Sequence, residues 1–457
     1  MAELTLPSAP HLYPAPSQAT LASHFVGKRI KDVQAPAAII DAAVVRRNCN
    51  ALSNAINRLG VGFRAHVKTH KTLEMTKLQV GDSDAKTIKL VCSTVSEIEH
   101  LLPWLVECKA QGKDVDVLYG LPVAPSQVAR LGKVASALGE GTLGVFVDHT
   151  AQIKALENVK GDVWPGHIPI WVAIDVGYHR EGVTANSSQL AEIARVLETT
   201  KRVKLAGLYS HLGSSYGSAS AEDALKYMAE ELRGLKAGAE AFLRAGNNSL
   251  TGNGKITLSL GASPTATATQ NLFGGVSAVH EYRSLIDEVK QNFELEFHAG
   301  VYCVNDLQQL AAHATHDRTY DDIGFRILAE VASVYADRAD TPEILVAAGS
   351  IVLGREPCKS YPGWAVVAPW PDKTTSYFRP GGSSPGWIVG RISQEHGILT
   401  WEGRAEQMQP LEVGEKVLLW PNHACIAGVN FGWYLVVDSD EADPEMIQDV
   451  WLRWRGW

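Results

Sequence analysis

Gly62-Phe63-Arg64-Ala65-His66-Val67-Lys68-Thr69-His70-Lys71 reads as a strand that runs into a turn. Phe63, Ala65 and Val67 alternate with Arg64, His66 and Lys68. A period of two puts the three basic side chains on one face. A helical pattern begins near Thr72, which leaves Lys68 at the C-terminal end of the strand. Outward from this stretch the same unit repeats. β-rich runs fall at 62–68, 88–92, 115–119, 143–148, 168–175, 204–210, 256–260 and 295–298. Helical patterns such as 96–106, 188–199 and 221–245 separate most of them. Strands alternating with helices predict an α/β fold whose first part, 36–298, is an N-terminal (β/α)8 TIM-like barrel. One earlier run, 37–41, precedes a helix at 43–59 and reads as a ninth strand that could lie outside the barrel. Residues 299–457 have a different texture. Strand-like runs punctuated by Gly, Pro and Asp predict a mostly-β domain, with no long helical period until the last dozen residues. Residues 1–35 read as an irregular arm packed on that domain.

Composition narrows the function. Hydrophobic residues are 46% and charged residues 20% of the 457, so the chain has enough apolar surface to fold. A net charge of −8 without a basic run argues against nucleic acid or an anionic membrane as partner. No run of eighteen apolar residues would span a bilayer. The start, MAELTLPSAP, lacks the basic and apolar regions of a secretory signal. The six cysteines are scattered and make no scaffold or CxxC spacing. A reduced, cytoplasmic protein is expected.

Three motifs carry chemistry. In a barrel, Lys68 would stand on the active-site face, partly desolvated and near other cations. Both effects lower its pKa and favour an amine nucleophile. Taken alone, KTHK is also compatible with a solvated basic loop. Next, Leu258-Ser259-Leu260-Gly261-Ala262-Ser263-Pro264-Thr265 runs from an apolar strand into small residues, a pattern whose backbone N–H groups bind phosphate and which also makes plain βα turns. Last is Pro421-Asn422-His423-Ala424-Cys425. In an extended segment, His423 and Cys425 would share one side and could grip zinc. A buried thiol beside a turn histidine is the alternative. Two protein ligands would leave open positions, as in a catalytic ion. Gly139–Gly144 fits GxGxxG but precedes a strand, so it reads as a turn. Asn186-Ser187-Ser188 and Asn247-Asn248-Ser249 fit glycosylation sequons that a cytoplasmic chain would not use.

With these motifs in this order, the chain resembles the fold-type III pyridoxal-phosphate enzymes, the alanine racemase and D-threonine aldolase-like family. PAAIIDAAVVRRN (36–48) is similar to the family's entry strand and helix, and HVKTHK to its cofactor-lysine motif, with Lys68 in the Schiff-base position. IDVGYHREGV (174–183), which holds Arg180, resembles the D-x-G-x-x-R-x-G-V strand end. GLYSH (207–211) through Tyr216 resembles the next one. The resemblance places Tyr209, His211, Tyr216 and Arg180 at cofactor contacts. It makes Gly261, Ala262, Ser263 and Thr265 the phosphate loop. HAGVYCVND (298–306) resembles the barrel exit, although an Arg-Pro-Gly start is common there. PNHAC is similar to the zinc pair of the family's eukaryotic D-serine dehydratase branch. D-threonine aldolases and D-threo-3-hydroxyaspartate dehydratases are expected to carry His and Asp at that place.

The resemblance implies two cofactors, pyridoxal 5'-phosphate and Zn2+, and a small D-amino acid substrate. It implies dehydration of D-serine to pyruvate and ammonia, with Lys68 also the α-proton base and zinc on His423 and Cys425 easing loss of the β-hydroxyl. The alternatives are a metal-dependent D-threonine aldolase, a D-threo-3-hydroxyaspartate dehydratase and, more remotely, a non-catalytic pyridoxal-phosphate carrier. A homodimer with sites near the subunit interface is the implied assembly.

Overall fold

The computed structural model describes residues 8–81, 85–246, 254–273, 279–338, 340–371, 376–380 and 384–457, so the sequon at 247–249 lies outside the described residues. Strand β1 (Ala37–Asp41) comes first and stays outside the barrel. Strands β2 (Gly62–His66), β3 (Thr87–Cys92), β4 (Asp114–Pro122), β5 (Leu143–Val147), β6 (Ile168–Ala173), β7 (Val203–Tyr209), β8 (Thr257–Leu260) and β9 (Glu294–Ala299) close into a parallel barrel. The seam pairs β2 with β9 from Gly62↔Glu296 to Ala65↔Ala299. The eight expected strands are these eight.

Eight strands from the rest of the chain join β1 in a second sheet. They are β10 (Phe325–Tyr335), β11 (Glu343–Val346), β12 (Ala365–Ala368), β13 (Gly386–Ile392), β14 (Gly397–Glu402), β15 (Lys416–Pro421), β16 (Trp433–Val437) and β17 (Asp449–Leu452). The order is β11-β14-β13-β12-β15-β10-β1-β16-β17. β1 lies antiparallel to β10 and parallel to β16. Although it precedes the barrel in sequence, β1 therefore ties the second sheet to it. Its last residue, Asp41, is the N-cap of the helix Ala42–Leu59, which packs back on the barrel. Arg326 of β10 holds the same carboxylate at 3.0 Å.

Three local expectations need correction. The first strand stops at His66, not Lys68. Val67 still donates to Val91 O at 3.2 Å, so Lys68 rises just above the last ladder bond. Within the arm, Gln18–Phe25 is a helix capped by Ser17, and Gln18 Nε2 donates to Val450 O at 3.0 Å. The last dozen residues hold the strand β17 instead of a helix. Ile447, Val450, Trp451 and Trp454 recur with a helical period, yet all are buried, because this strand is covered on both faces.

Among the described residues, no helix is long and apolar enough to cross a membrane.

Candidate active site

The face of β2 that carries the basic residues looks into the barrel, and its residues meet different surroundings at different heights. Arg64 is fully buried. Its guanidinium donates to Glu296 Oε1 at 2.6 Å and to Asp116 Oδ2 at 2.6 Å, and lies 4.8 Å from the centre of the Trp171 ring. Lys89 closes the same carboxylate at 2.9 Å. This layer is a paired network of charge.

Above it, at the C-terminal strand ends, is a cavity of about 640 Å³. Lys68 lines it together with Arg180, His211, Tyr216, Ser263, His423 and Cys425. A second cavity of about 360 Å³ shares His66, Lys68, Arg180 and His211 with the first and adds Tyr209. The fold thus brings most of the expected site residues to one mouth. The turn after β2 aims Lys68. Lys71 adopts φ 53° and bonds back to Val67 O at 2.9 Å. Thr72 caps the helix Leu73–Val80 by accepting from Met75 N–H. Lys71 points elsewhere and pairs with the buried Glu97 at 2.9 Å.

Burial holds the Lys68 amine below its ordinary value, opposed by Cys425 and helped by Arg180. His66, His211 and His298 sit well below the ordinary imidazole value, first because burial penalises the cation and then because cations stand near. All three are neutral at pH 7. His211 Nδ1 lies 2.7 Å from Gly261 O, so Nδ1 carries the proton and Nε2 is left as an acceptor. His298 stacks on Tyr209 with ring centres 4.0 Å apart and 9° between planes. Tyr178 stands edge-on to His211 at 6.0 Å. A Cβ at Gly213 would lie 2.2 Å from the Tyr178 ring, so that approach requires glycine.

The loop after β8 differs from expectation in its donors. Gly261 has φ +148°, and a Cβ there would meet His298 O at 2.3 Å, so glycine is required. Its N–H donates to Glu231 Oε1 at 3.0 Å, and the Ala262 N–H donates to Thr265 Oγ1 at 2.8 Å. Both amides are occupied inside the protein, and Thr265 faces away from the cavity. Ser263 and the Tyr216 phenol, hydrogen-bonded to each other, form the polar wall that faces it. Tyr209 lines only the smaller cavity.

The His423 and Cys425 segment is not extended. His423 is the N-cap of a short helix, Ala424–Ala427, because the buried Asp306 carboxylate takes the Ala424 N–H at 2.9 Å and turns the chain. The turn still brings imidazole and thiol close enough for each to shift the other's ionisation. Burial raises the Cys425 thiol, but His423, Lys68 and the Thr69 hydroxyl at 3.1 Å outweigh it and leave the group below its usual value. Burial lowers the imidazole, and Cys425, Asp306 and Glu356 carry it up to about 9. A buried His423 Nδ1 without a hydrogen-bond partner, beside a thiol inclined to ionise, fits a zinc-type donor pair. Among the described residues, no group of three His, Cys, Asp or Glu could hold an ion, so this pair would leave positions open. The cavity, the depressed lysine and the Ser263–Tyr216 wall likewise fit a phosphorylated aldehyde cofactor.

Sequence reasoning missed Glu231. The helix Ala221–Ala245 buries Ala224, Leu225, Met228, Leu232 and Leu235. Glu231 falls three residues after Met228 and four before Leu235, inside that apolar stripe. A lone carboxylate there was the available signal.

Residues 40–273 match the family described as "Alanine racemase, N-terminal domain", and residues 324–437 match "Putative serine dehydratase domain". The chain is 33% identical to the D-serine dehydratase of Schizosaccharomyces pombe over 96% of this chain and 95% of that protein. It is 29% identical to the D-serine dehydratase of Saccharomyces cerevisiae over 95% and 99%. A solved structure of D-threo-3-hydroxyaspartate dehydratase from Delftia sp. HT23 superposes with a TM-score of 0.72 at 25% identity, covering 94% of this chain and 100% of that one. Further solved structures of D-threo-3-hydroxyaspartate dehydratase are alanine variants at a histidine and at a cysteine two positions on, the cysteine variant described as being in the metal-free form. A His-x-Cys pair therefore occurs in that enzyme too.

Proposed function

The chain belongs to the fold-type III pyridoxal-phosphate family, among the D-serine dehydratases and their relatives, and on that premise we propose that it dehydrates D-serine to pyruvate and ammonia. The observation that carries this reading is Lys68. Its desolvated amine shares one cavity with Ser263 and Tyr216 on one side and His423 and Cys425 on the other.

Bound pyridoxal phosphate supplies an electron sink for negative charge at the substrate Cα, and zinc supplies a Lewis acid for the departing β-hydroxyl. The protein's residues do the rest. Lys68 would hold the cofactor, and burial, which disfavours its ammonium form, suits the same amine to act as the base for the α-proton. Ser263 and Tyr216 hold the phosphate. Arg180, paired with Glu181, stands between both cavities as a cofactor contact. The neutral His211 and His298 wall the cofactor without adding charge. His423 and Cys425 would hold the metal.

D-threo-3-hydroxyaspartate is the second reading, favoured by the fold match and the His-x-Cys pair of that dehydratase. One assay separates the readings: pyruvate from D-serine, oxaloacetate from D-threo-3-hydroxyaspartate, and glycine from D-threonine if the chain is an aldolase. Faster oxaloacetate release would move the assignment, and turnover of none of the three would leave a carrier. We further propose a cytoplasmic homodimer. Six cysteines, none of them in a disulfide, fit a reducing compartment, and sedimentation as a monomer would refute the dimer.

A further inference from the structure

Glu231 is fully buried on the helix Ala221–Ala245, behind the barrel wall. Its partners lie just beyond the ends of β7 and β8, in the segments that shape the mouth. Its Oε1 accepts from Ser210 Oγ at 3.1 Å and from Gly261 N–H at 3.0 Å. Its Oε2 faces the Thr265 hydroxyl at 3.4 Å, and the Leu212 amide also donates to it. Ser210 and Leu212 flank His211. The His211 imidazole in turn donates to Gly261 O. The ring is closed: carboxylate to both neighbours of His211, His211 to Gly261, and Gly261 back to the carboxylate.

A buried carboxylate costs free energy unless donors meet it, and a hydrophobic residue would fill this stripe more cheaply. Four donors converge here instead. The gain is geometric. Gly261 N–H and, through Thr265, Ala262 N–H are fixed inside the wall, which sets the peptide planes that present Ser263 to the cavity.

We propose that Glu231 is a positioning residue that fixes His211 against the Gly261–Ser263 turn and so shapes the seat of the cofactor phosphate. The inference rests on the reading that this mouth holds pyridoxal phosphate. Glutamine can reproduce most of the set. Its carbonyl takes Gly261 N–H and Ser210 OH, and its amino group faces Thr265 Oγ1, whose proton then turns to Ala262 O at 3.1 Å. Alanine leaves Gly261 N–H and Ser210 buried and unpaired.

The test removes cofactor from the purified protein and measures rebinding of pyridoxal phosphate and of unphosphorylated pyridoxal, with melting temperature recorded for each variant. Wild type is expected to prefer the phosphorylated ligand. Glu231→Ala should weaken pyridoxal phosphate about tenfold or more while pyridoxal changes little. Glu231→Gln should restore most of the difference. Ser210→Ala is a milder second variant with the same expected direction, in case Glu231→Ala fails to fold. Equal losses for both ligands, or a lower melting temperature with the preference intact, would make Glu231 merely structural and overturn the proposal. No preference in wild type would overturn the phosphate seat itself, a result distinct from failure of the positioning role.

Discussion

Arg64 and Lys68 stand four residues apart on one face of one chain segment, and the protein treats them in opposite ways. Arg64 is given Asp116 and Glu296 and is held above its ordinary pKa: burial opposes its charge, and the two carboxylates more than compensate. Lys68 is given neutral imidazoles, a guanidinium and a thiol, and is held below its own. The lower layer is matched charge, useful for holding strands in register. The mouth is a basic group kept reactive. Removing charge from the mouth should cost activity and spare the fold. Removing it from the lower layer should cost the fold.

Lys68→Met should give the largest effect. Pyruvate release from D-serine should fall by about a thousandfold or more, since the same amine holds the cofactor and moves the proton. Stability should hold or rise. The fold binds the Lys68 proton more weakly than the unfolded chain does, so below about pH 10.4 this group opposes folding. A lower melting temperature would erase the contrast with Arg64.

Metal removal is expected next in size. Chelation, His423→Ala or Cys425→Ala should each lower dehydration by about a hundredfold or more, with visible absorbance of the cofactor and circular dichroism unchanged. Unfolding on chelation would make the ion structural. An undiminished rate would reduce this segment to a turn.

Glu296→Gln carries the smallest effect on chemistry and the clearest one on stability. Loss of one partner leaves Arg64 buried with less compensation, at a cost of about 3–5 kcal/mol in urea unfolding. The sign with pH follows from the carboxyl. Burial raises it, but Arg64 and Lys89 prevail and hold it below the usual range. Its contribution is therefore present above about pH 4.3 and is lost as pH falls through the lower folded value. The variant should lack that part of the acid dependence. An unchanged urea midpoint would show that the lower layer does not hold the barrel.

Much of this was legible in the sequence, because barrel strands announce themselves by short apolar runs between helical periods. Lys68 was legible because alternation fixes a face and the following helix fixes an end. β17 was misread because Ile447, Val450, Trp451 and Trp454 satisfy a helical period when a strand is buried on both faces. The geometry of His423 and Cys425 was also misread, since the carboxylate that bends the chain there, Asp306, lies more than a hundred residues earlier. Such a contact leaves no local trace. Glu231 is the opposite case: its place in an apolar stripe was visible, but its four partners were not.

The most direct test is to reduce the cofactor-loaded protein with borohydride and map the labelled peptide. The expected result is one labelled peptide with the cofactor fixed on Lys68. Label on Lys71, whose amine is tied to Glu97, or on any other lysine, would contradict the account.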